Sequence, residues 1–142
     1  MNLPLGRDVS IFLDANVLIS AAWKQGTEIA QLWEFEGIHL LTSNFVMAEV
    51  QRNLPRIDQI ERLRTLLLKV RIHYLDELPD HPEADRLPAK DRHVLAAAIL
   101  TRANLLVSGD KRHFGSLCGM EIVGVRIVAP PELLAALRHR LQ

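Results

Sequence analysis

Cys118 is the only cysteine in the chain. A single thiol excludes an internal disulfide and leaves a thiolate zinc site without ligands, so a reducing compartment fits best. An excess of either charge is also missing: Lys plus Arg and Asp plus Glu each number 17, for a formal net charge of +0. The molecule therefore has no overall positive field with which to capture nucleic acid. Binding of RNA or DNA has to come from a local basic patch or from metal ions. No apolar run approaches the ~20 residues of a membrane-spanning helix, and Met1–Asp8 lacks the charged-then-apolar pattern of a secretory signal. Repeats, low-complexity tracts and linkers are absent too. The rest is ordinary globular composition, 49% hydrophobic and 24% charged over 142 residues. That suffices for one domain spanning residues 1–142 with a sizeable core. The expectation is a soluble cytoplasmic protein.

The chain is organised around Val9-Ser10-Ile11-Phe12-Leu13-Asp14-Ala15-Asn16-Val17-Leu18. Val9–Leu13 has too few alternating polar residues for a one-sided strand and reads as a strand covered on both faces, as in parallel sheets. It stops at Asp14, which is placed to cap a helix whose apolar face is Val17, Leu18, Ala21 and Ala22. Gly26-Thr27 breaks that helix, a short second one follows through Ile29 and Trp33, and Gly37 ends it. Ile38–Thr42 reads as a second strand. Ser43 or Asn44 caps a helix to about Leu54, stopped by Pro55. Ile57, Ile60, Leu63, Leu67 and Val70 predict an amphipathic helix over 56–70, followed by a weak strand at Ile72–Leu75. Asp76–Pro88 reads as a loop with one turn of helix at Glu83–Arg86. A nearly all-apolar helix runs from Pro88 to about Ala103, and Leu105–Ser108 is a fourth strand ending in Gly109-Asp110. Ile122-Val123 and Val125–Val128 supply a fifth, and Pro130-Pro131 starts a last helix through Leu133, Leu134 and Leu137. Strands alternating with helices in this way predict an α/β fold: a central, mostly parallel sheet of about five strands with helices on both faces.

Four carboxylates stand in unusual places. Asp14 and Asp110 are at strand ends, Asp91 is in the first turn of a helix, and Glu49 falls between Phe45 and Val46 on the apolar arc of its helix. Each has an ordinary explanation: capping or dipole effects for Asp14 and Asp91, turn chemistry for Asp110, and a surface pair with Arg52 for Glu49. Together they mean more. A parallel sheet gathers its strand C-termini and the following helix N-termini on one edge, where ligands of open α/β sheets bind. Gathered carboxylates repel one another, and a divalent cation relieves that repulsion. All-oxygen ligands select a hard ion, Mg²⁺ or Mn²⁺, and such sites typically do phosphoryl chemistry.

The residues also carry a resemblance. Phe12–Leu18, Ala48-Glu49-Val50, Lys90–Ala98 and Val107-Ser108-Gly109-Asp110-Lys111-Arg112-His113-Phe114 resemble, in order and spacing, the four acidic motifs of the PIN-domain nucleases. The likeness covers essentially the whole chain. It implies a PIN-like domain in which Asp14, Glu49, Asp91 and Asp110 are the catalytic and metal-binding acids, supported by Asn16 and Ser108. Where the family often has Thr, this chain has Ser108, which keeps the hydroxyl. The implied activity is that of a Mg²⁺- or Mn²⁺-dependent endoribonuclease: water attacks an RNA phosphorus in line and the 3′-oxygen leaves. Chains of this length resemble the virulence-associated protein C-like toxins of bacterial toxin–antitoxin pairs, which implies a homodimer and a small antitoxin partner.

Arg92, Lys111 and Arg112 are candidate contacts to substrate phosphates, with salt bridges to Asp8, Asp76 or Glu77 as the alternative. His93 and His113 have no paired partner at zinc-ligand spacing. Trp23, Trp33 and Tyr74 are expected in the core or a dimer contact, and Glu36, Asp80, Glu83 and Asp85 in solvent. Three other readings compete. A phosphatase forming an aspartyl-phosphate usually carries Asp-x-Asp, but Asn16 stands where its second acid belongs. A receiver-type signalling domain needs a phospho-accepting Asp after a middle strand, where this chain has Thr42-Ser43. A non-catalytic PIN-like module binding RNA or protein has no need of all four acids.

Overall fold

The computed structural model describes residues 5–6 and 8–140. The reading of the N-terminus as free of a signal falls largely on Met1–Pro4 and Arg7, which lie outside the described residues. β1 (Val9–Leu13) and α1 (Ala15–Trp23) lead through a 3₁₀ segment, Glu28–Glu34, to β2 (Ile38–Ser43) and α2 (Asn44–Arg52). Then come α3 (Ile57–Leu67), β3 (Val70–His73), a 3₁₀ turn at Pro82–Arg86, and α4 (Ala89–Leu100). The chain continues with β4 (Leu105–Val107), a single helical turn α5 (Lys111–Phe114), β5 (Glu121–Ile122), β6 (Val125–Val128) and α6 (Pro130–Arg140).

The strands form one sheet in the order β3-β2-β1-β4-β6-β5. All pairings are parallel except that of β5 with β6. This order positions everything else. From β1 the chain steps outward through β2 and β3, then returns across the sheet to place β4 on the other side of β1. A right-handed crossover in the reverse direction puts its helix on the opposite face. Accordingly α1 packs on α2 and α3, while α4 packs against β2 and β4. Ile11, Phe12 and Leu13 of the central strand are wholly buried, as are Ala96, Ala97 and Ala98 of α4. The small alanines let that helix lie close to the sheet.

Three sequence expectations change. The sheet has six strands rather than about five, because the last apolar stretch folds back on itself. Val123 and Gly124 both take positive φ, 50° and 81°, as a two-residue hairpin turn demands, so Ile122 and Val125 pair antiparallel. Val70 belongs to β3, not to the preceding helix, and β3 starts two residues earlier than its apolar run suggests. The buried side of α3 also keeps only part of the aliphatic stripe: Leu63 is in the core and Leu67 packs on it, but the N-terminal end of the stripe is exposed. Ile57 is 76% exposed whereas Gln59 is 2% exposed. Gln59 resolves its burial by accepting from the Arg56 N–H at 3.1 Å and donating to the Trp23 carbonyl at 3.3 Å. Burying a polar group is tolerated when both its donor and its acceptor are used. Of the large aromatics, Trp33 lies in the core, while Trp23 and Tyr74 are exposed on this chain.

Candidate active site

The strand order creates a topological switch between β1 and β4, where neighbouring connections leave in opposite directions and open a crevice at the C-terminal edge. Asp14 follows β1 there. Its backbone N–H still donates to Val107 O of β4 at 3.2 Å, so the residue is held in line with the sheet. Its side chain caps α1, one carboxylate oxygen accepting from the Ala15 N–H at 2.7 Å. The other accepts from the Ser108 hydroxyl at 2.7 Å and, more weakly, from Asn16 Nδ2 at 3.3 Å. Ser108, just past β4, in turn accepts from Asn16 Nδ2 and from the Asp110 N–H. Asn16 Oδ1 accepts from the Gly109 N–H at 2.8 Å. Two loops 92 residues apart are thus joined by one hydrogen-bonded network.

Asp14 is 5% exposed. Burial pushes its carboxyl up to about 6; the Ser108 and Ala15 hydrogen bonds pull it back, and the charges of Glu49 and Asp91 push it further up. Glu49, half-buried on α2, also acts on His93, whose imidazole burial holds below the ordinary value. His93 stands edge-on to Phe45, ring centroids 6.3 Å apart.

Asp91 and Asp110 meet differently. Asp110 caps α5, one oxygen accepting from the N–H groups of Arg112 and His113 at 3.1 Å each. Its other oxygen, Oδ2, is 2.8 Å from His113 Nδ1, and Asp91 Oδ2 is also 2.8 Å from that nitrogen. Neither oxygen lies along the direction a ring N–H donates, so Asp91 Oδ2 and His113 Nδ1 are buried without a hydrogen bond. Burial raises the Asp91 carboxyl above its ordinary value; the charge of His113 opposes that rise and the charge of Asp110 adds to it. Asp91, Asp110 and His113 each direct one donor atom into the same space, all within 4.8 Å of one another.

Glu49 and Asp91 are therefore near enough for their charges to act on Asp14, and Asp110 is near enough to act on Asp91; the donor-atom cluster itself comprises Asp91, Asp110 and His113 and leaves Asp14 and Glu49 outside it. The basic residues divide. His113 turns into the site, Arg92 donates its Nε to the Leu87 carbonyl at 2.9 Å, and Lys111 and Arg112 are exposed on α5. Asp8 pairs with His39 instead of with any of them. The sequence set His113 among the basic residues after Asp110 and, for want of a partner at zinc-ligand spacing, against a ligand role. A signal was there, because three residues after Asp110 is one helical turn, but a four-residue helix is too short to show a periodic pattern.

Residues 10–112 match the family whose description is PIN domain. The chain belongs to the PIN-domain family. No curated protein matches its sequence. Two solved structures resemble this PIN domain. VapBC2 from Rickettsia felis, bound to a DNA fragment from their promoter, aligns with TM-score 0.58 at 15% identity over 84% of this chain and 98% of that chain. A toxin–antitoxin complex from Klebsiella pneumoniae aligns with TM-score 0.57 at 22% identity over 84% and 97%. At such identities the likeness establishes the fold.

The residues fit a divalent cation. Asp91 Oδ2 and His113 Nδ1 are buried polar atoms without hydrogen-bond partners, a state that costs free energy unless something else meets them. The neighbouring carboxylates repel until a positive charge sits among them.

Proposed function

We propose that this PIN domain is a Mg²⁺- or Mn²⁺-dependent endoribonuclease, acting as the toxin of a toxin–antitoxin pair. The observation that supports the reading is the meeting of Asp91 and Asp110 in one cluster of donor atoms, with Asp14 close enough to feel the charges of Asp91 and Glu49. A divalent ion held by these acids supplies Lewis acidity toward a phosphate oxygen. The chain's own residues do the rest. Asp14, fixed by Ser108, Asn16 and the Ala15 N–H, cannot rotate away from the crevice. Glu49 and Asp91 are the carboxylates in position to take a proton from the attacking water. Lys111 and Arg112, exposed beside Asp110, meet the phosphates flanking the bond that is cut.

Such a toxin works in the cytoplasm; among the described residues no helix is long and apolar enough to cross a membrane. Its partners are RNA, a second copy of the chain and a small antitoxin. The exposed Trp23, Ile57 and Ile60 are surface of the kind a protein partner covers.

The test is RNA cleavage by purified protein with Mg²⁺ or Mn²⁺ against EDTA, beside Asp14→Asn and Asp91→Asn. Metal-dependent cleavage lost in both variants supports the assignment. RNA bound without cleavage at any metal concentration identifies a binding module instead.

A further inference from the structure

We propose that His113 is an inner ligand of the metal, its Nδ1 completing a set with Asp91 Oδ2 and Asp110 Oδ2, and that this nitrogen makes the site prefer Mn²⁺ to Mg²⁺. The inference rests on the divalent-ion reading above and adds to it a residue type that four acids do not include. Three observations support it. The ring nitrogen is 2.8 Å from both carboxylate oxygens. Both contacts are ion pairs when the ring is protonated, yet the nitrogen has hydrogen-bond geometry to neither oxygen. All three donor atoms are instead directed into one space. Ligands at right angles on an ion with bonds of about 2.1 Å are separated by roughly 3 Å, so the spacing present is close to that of adjacent ligands. The shell geometry of α5 supports this role: Asp110 uses one oxygen on the backbone of Arg112 and His113, which leaves Oδ2 free and locks the ring beside it.

Two carboxylates and a neutral imidazole carry the two negative charges that balance a divalent cation. Imidazole is a softer donor than carboxylate. Mg²⁺ gains little from it, whereas transition ions gain in the order of their nitrogen affinity, beginning with Mn²⁺. Zn²⁺ accordingly competes with Mn²⁺ at this site.

The test uses the full chain loaded with less than one equivalent of Mn²⁺ and read by electron spin-echo envelope modulation. Nitrogen modulation is expected in the wild type, and it changes to the ¹⁵N pattern when histidine is ¹⁵N-labelled, which needs no variant. It disappears in His113→Gln and persists in His93→Gln. Titration calorimetry reads the preference. Loss of a direct ligand weakens Mn²⁺ binding in His113→Gln by about tenfold or more, while Mg²⁺ binding changes much less. Mn²⁺ bound without nitrogen modulation in the wild type overturns the role of His113 and leaves the nuclease reading standing. Modulation lost in His93→Gln but kept in His113→Gln overturns it equally. Mn²⁺ that does not bind, or binds unchanged in Asp91→Asn and Asp110→Asn, overturns both.

Discussion

The crevice has two halves that answer the same problem, carboxylates out of water, in opposite ways. On the β1 side Asp14 has a partner for each oxygen, through Ala15, Ser108 and Asn16. On the α4–α5 side Asp91 Oδ2 and His113 Nδ1 stand close without a hydrogen bond. A satisfied buried network fixes geometry, and an unsatisfied one retains free energy for a ligand to release. The first half is a frame, and the second is where the proposed ion would bind. Removing groups from the two halves therefore has different consequences.

The largest effect belongs to the open half. Asp110→Asn and Asp91→Asn lower RNA cleavage by about a thousandfold, ~4 kcal/mol of barrier. Metal-free stability moves by no more than about 0.5 kcal/mol in Asp91→Asn, because burial and the repulsion of Asp110 oppose the attraction of His113 on the charge that is lost. Cleavage rates beside urea unfolding check the pair. A large stability loss in Asp91→Asn would break the comparison.

Asp14 shows the opposite balance. Its carboxyl ionises at about 6 in the fold, against 3.8 ordinarily. A raised carboxylate pKa means that the folded state holds the proton more tightly. The stability this supplies is present below about 3.8 and is lost as pH rises through about 6. The difference of roughly two units corresponds to ~3 kcal/mol at most. Metal-free wild type is thus expected to lose stability between pH 4 and pH 7. Asp14→Asn removes the charge but sets an NH2 group against a donor, the Ala15 N–H on one side or the Asn16 amide on the other, so its pH profile is flatter and it unfolds at lower urea than wild type at pH 4. Identical pH profiles for the two proteins would show that Asp14 is not strained.

Ser108→Ala sharpens the boundary between the halves, since the hydroxyl donates to Asp14 and accepts from the Asp110 N–H. The substitution removes one donated and two accepted hydrogen bonds, at a cost of about 1–3 kcal/mol. Cleavage is expected to fall about tenfold with metal still bound, as calorimetry can confirm; Ser108→Thr restores both. The smallest effect lies outside the crevice. Val123, a β-branched residue at φ 50° in the β5–β6 turn, carries backbone strain of about 1 kcal/mol. Val123→Asn, a residue suited to that turn, raises thermal stability by that amount and leaves cleavage unchanged.

The same contrast governs what could be read without coordinates. The frame was legible. Val9–Leu13 ending at Asp14, and Leu105–Val107 ending before Ser108 and Asp110, follow from parallel-strand composition, and a parallel sheet brings such ends together. The PIN-domain motifs marked the same residues. The open half was only half legible: Asp91 and Asp110 stood out as acids at element ends, but His113 looked like one more basic residue after Lys111 and Arg112. Its role depends on where a single helical turn points a ring, and no periodicity records that. Gln59 on α3 failed to stand out for a related reason. Its burial is decided by the Trp23 carbonyl on another helix, so Ile57 and Ile60 seemed the better core residues. The β5–β6 hairpin was hidden because Val123 is a poor residue for the turn it occupies.

The sheet order has a consequence for how this chain comes to life on the ribosome. β4 pairs with β1 although nearly a hundred residues are synthesised between them. The first hundred residues can already form the β3-β2-β1 side, yet Ser108, Asp110 and His113 have not been made. A growing chain therefore carries Asp14, Glu49 and Asp91 but no finished crevice. The crevice closes only once residues 108–113 have followed, well after Asp14 and Glu49 have left the ribosome.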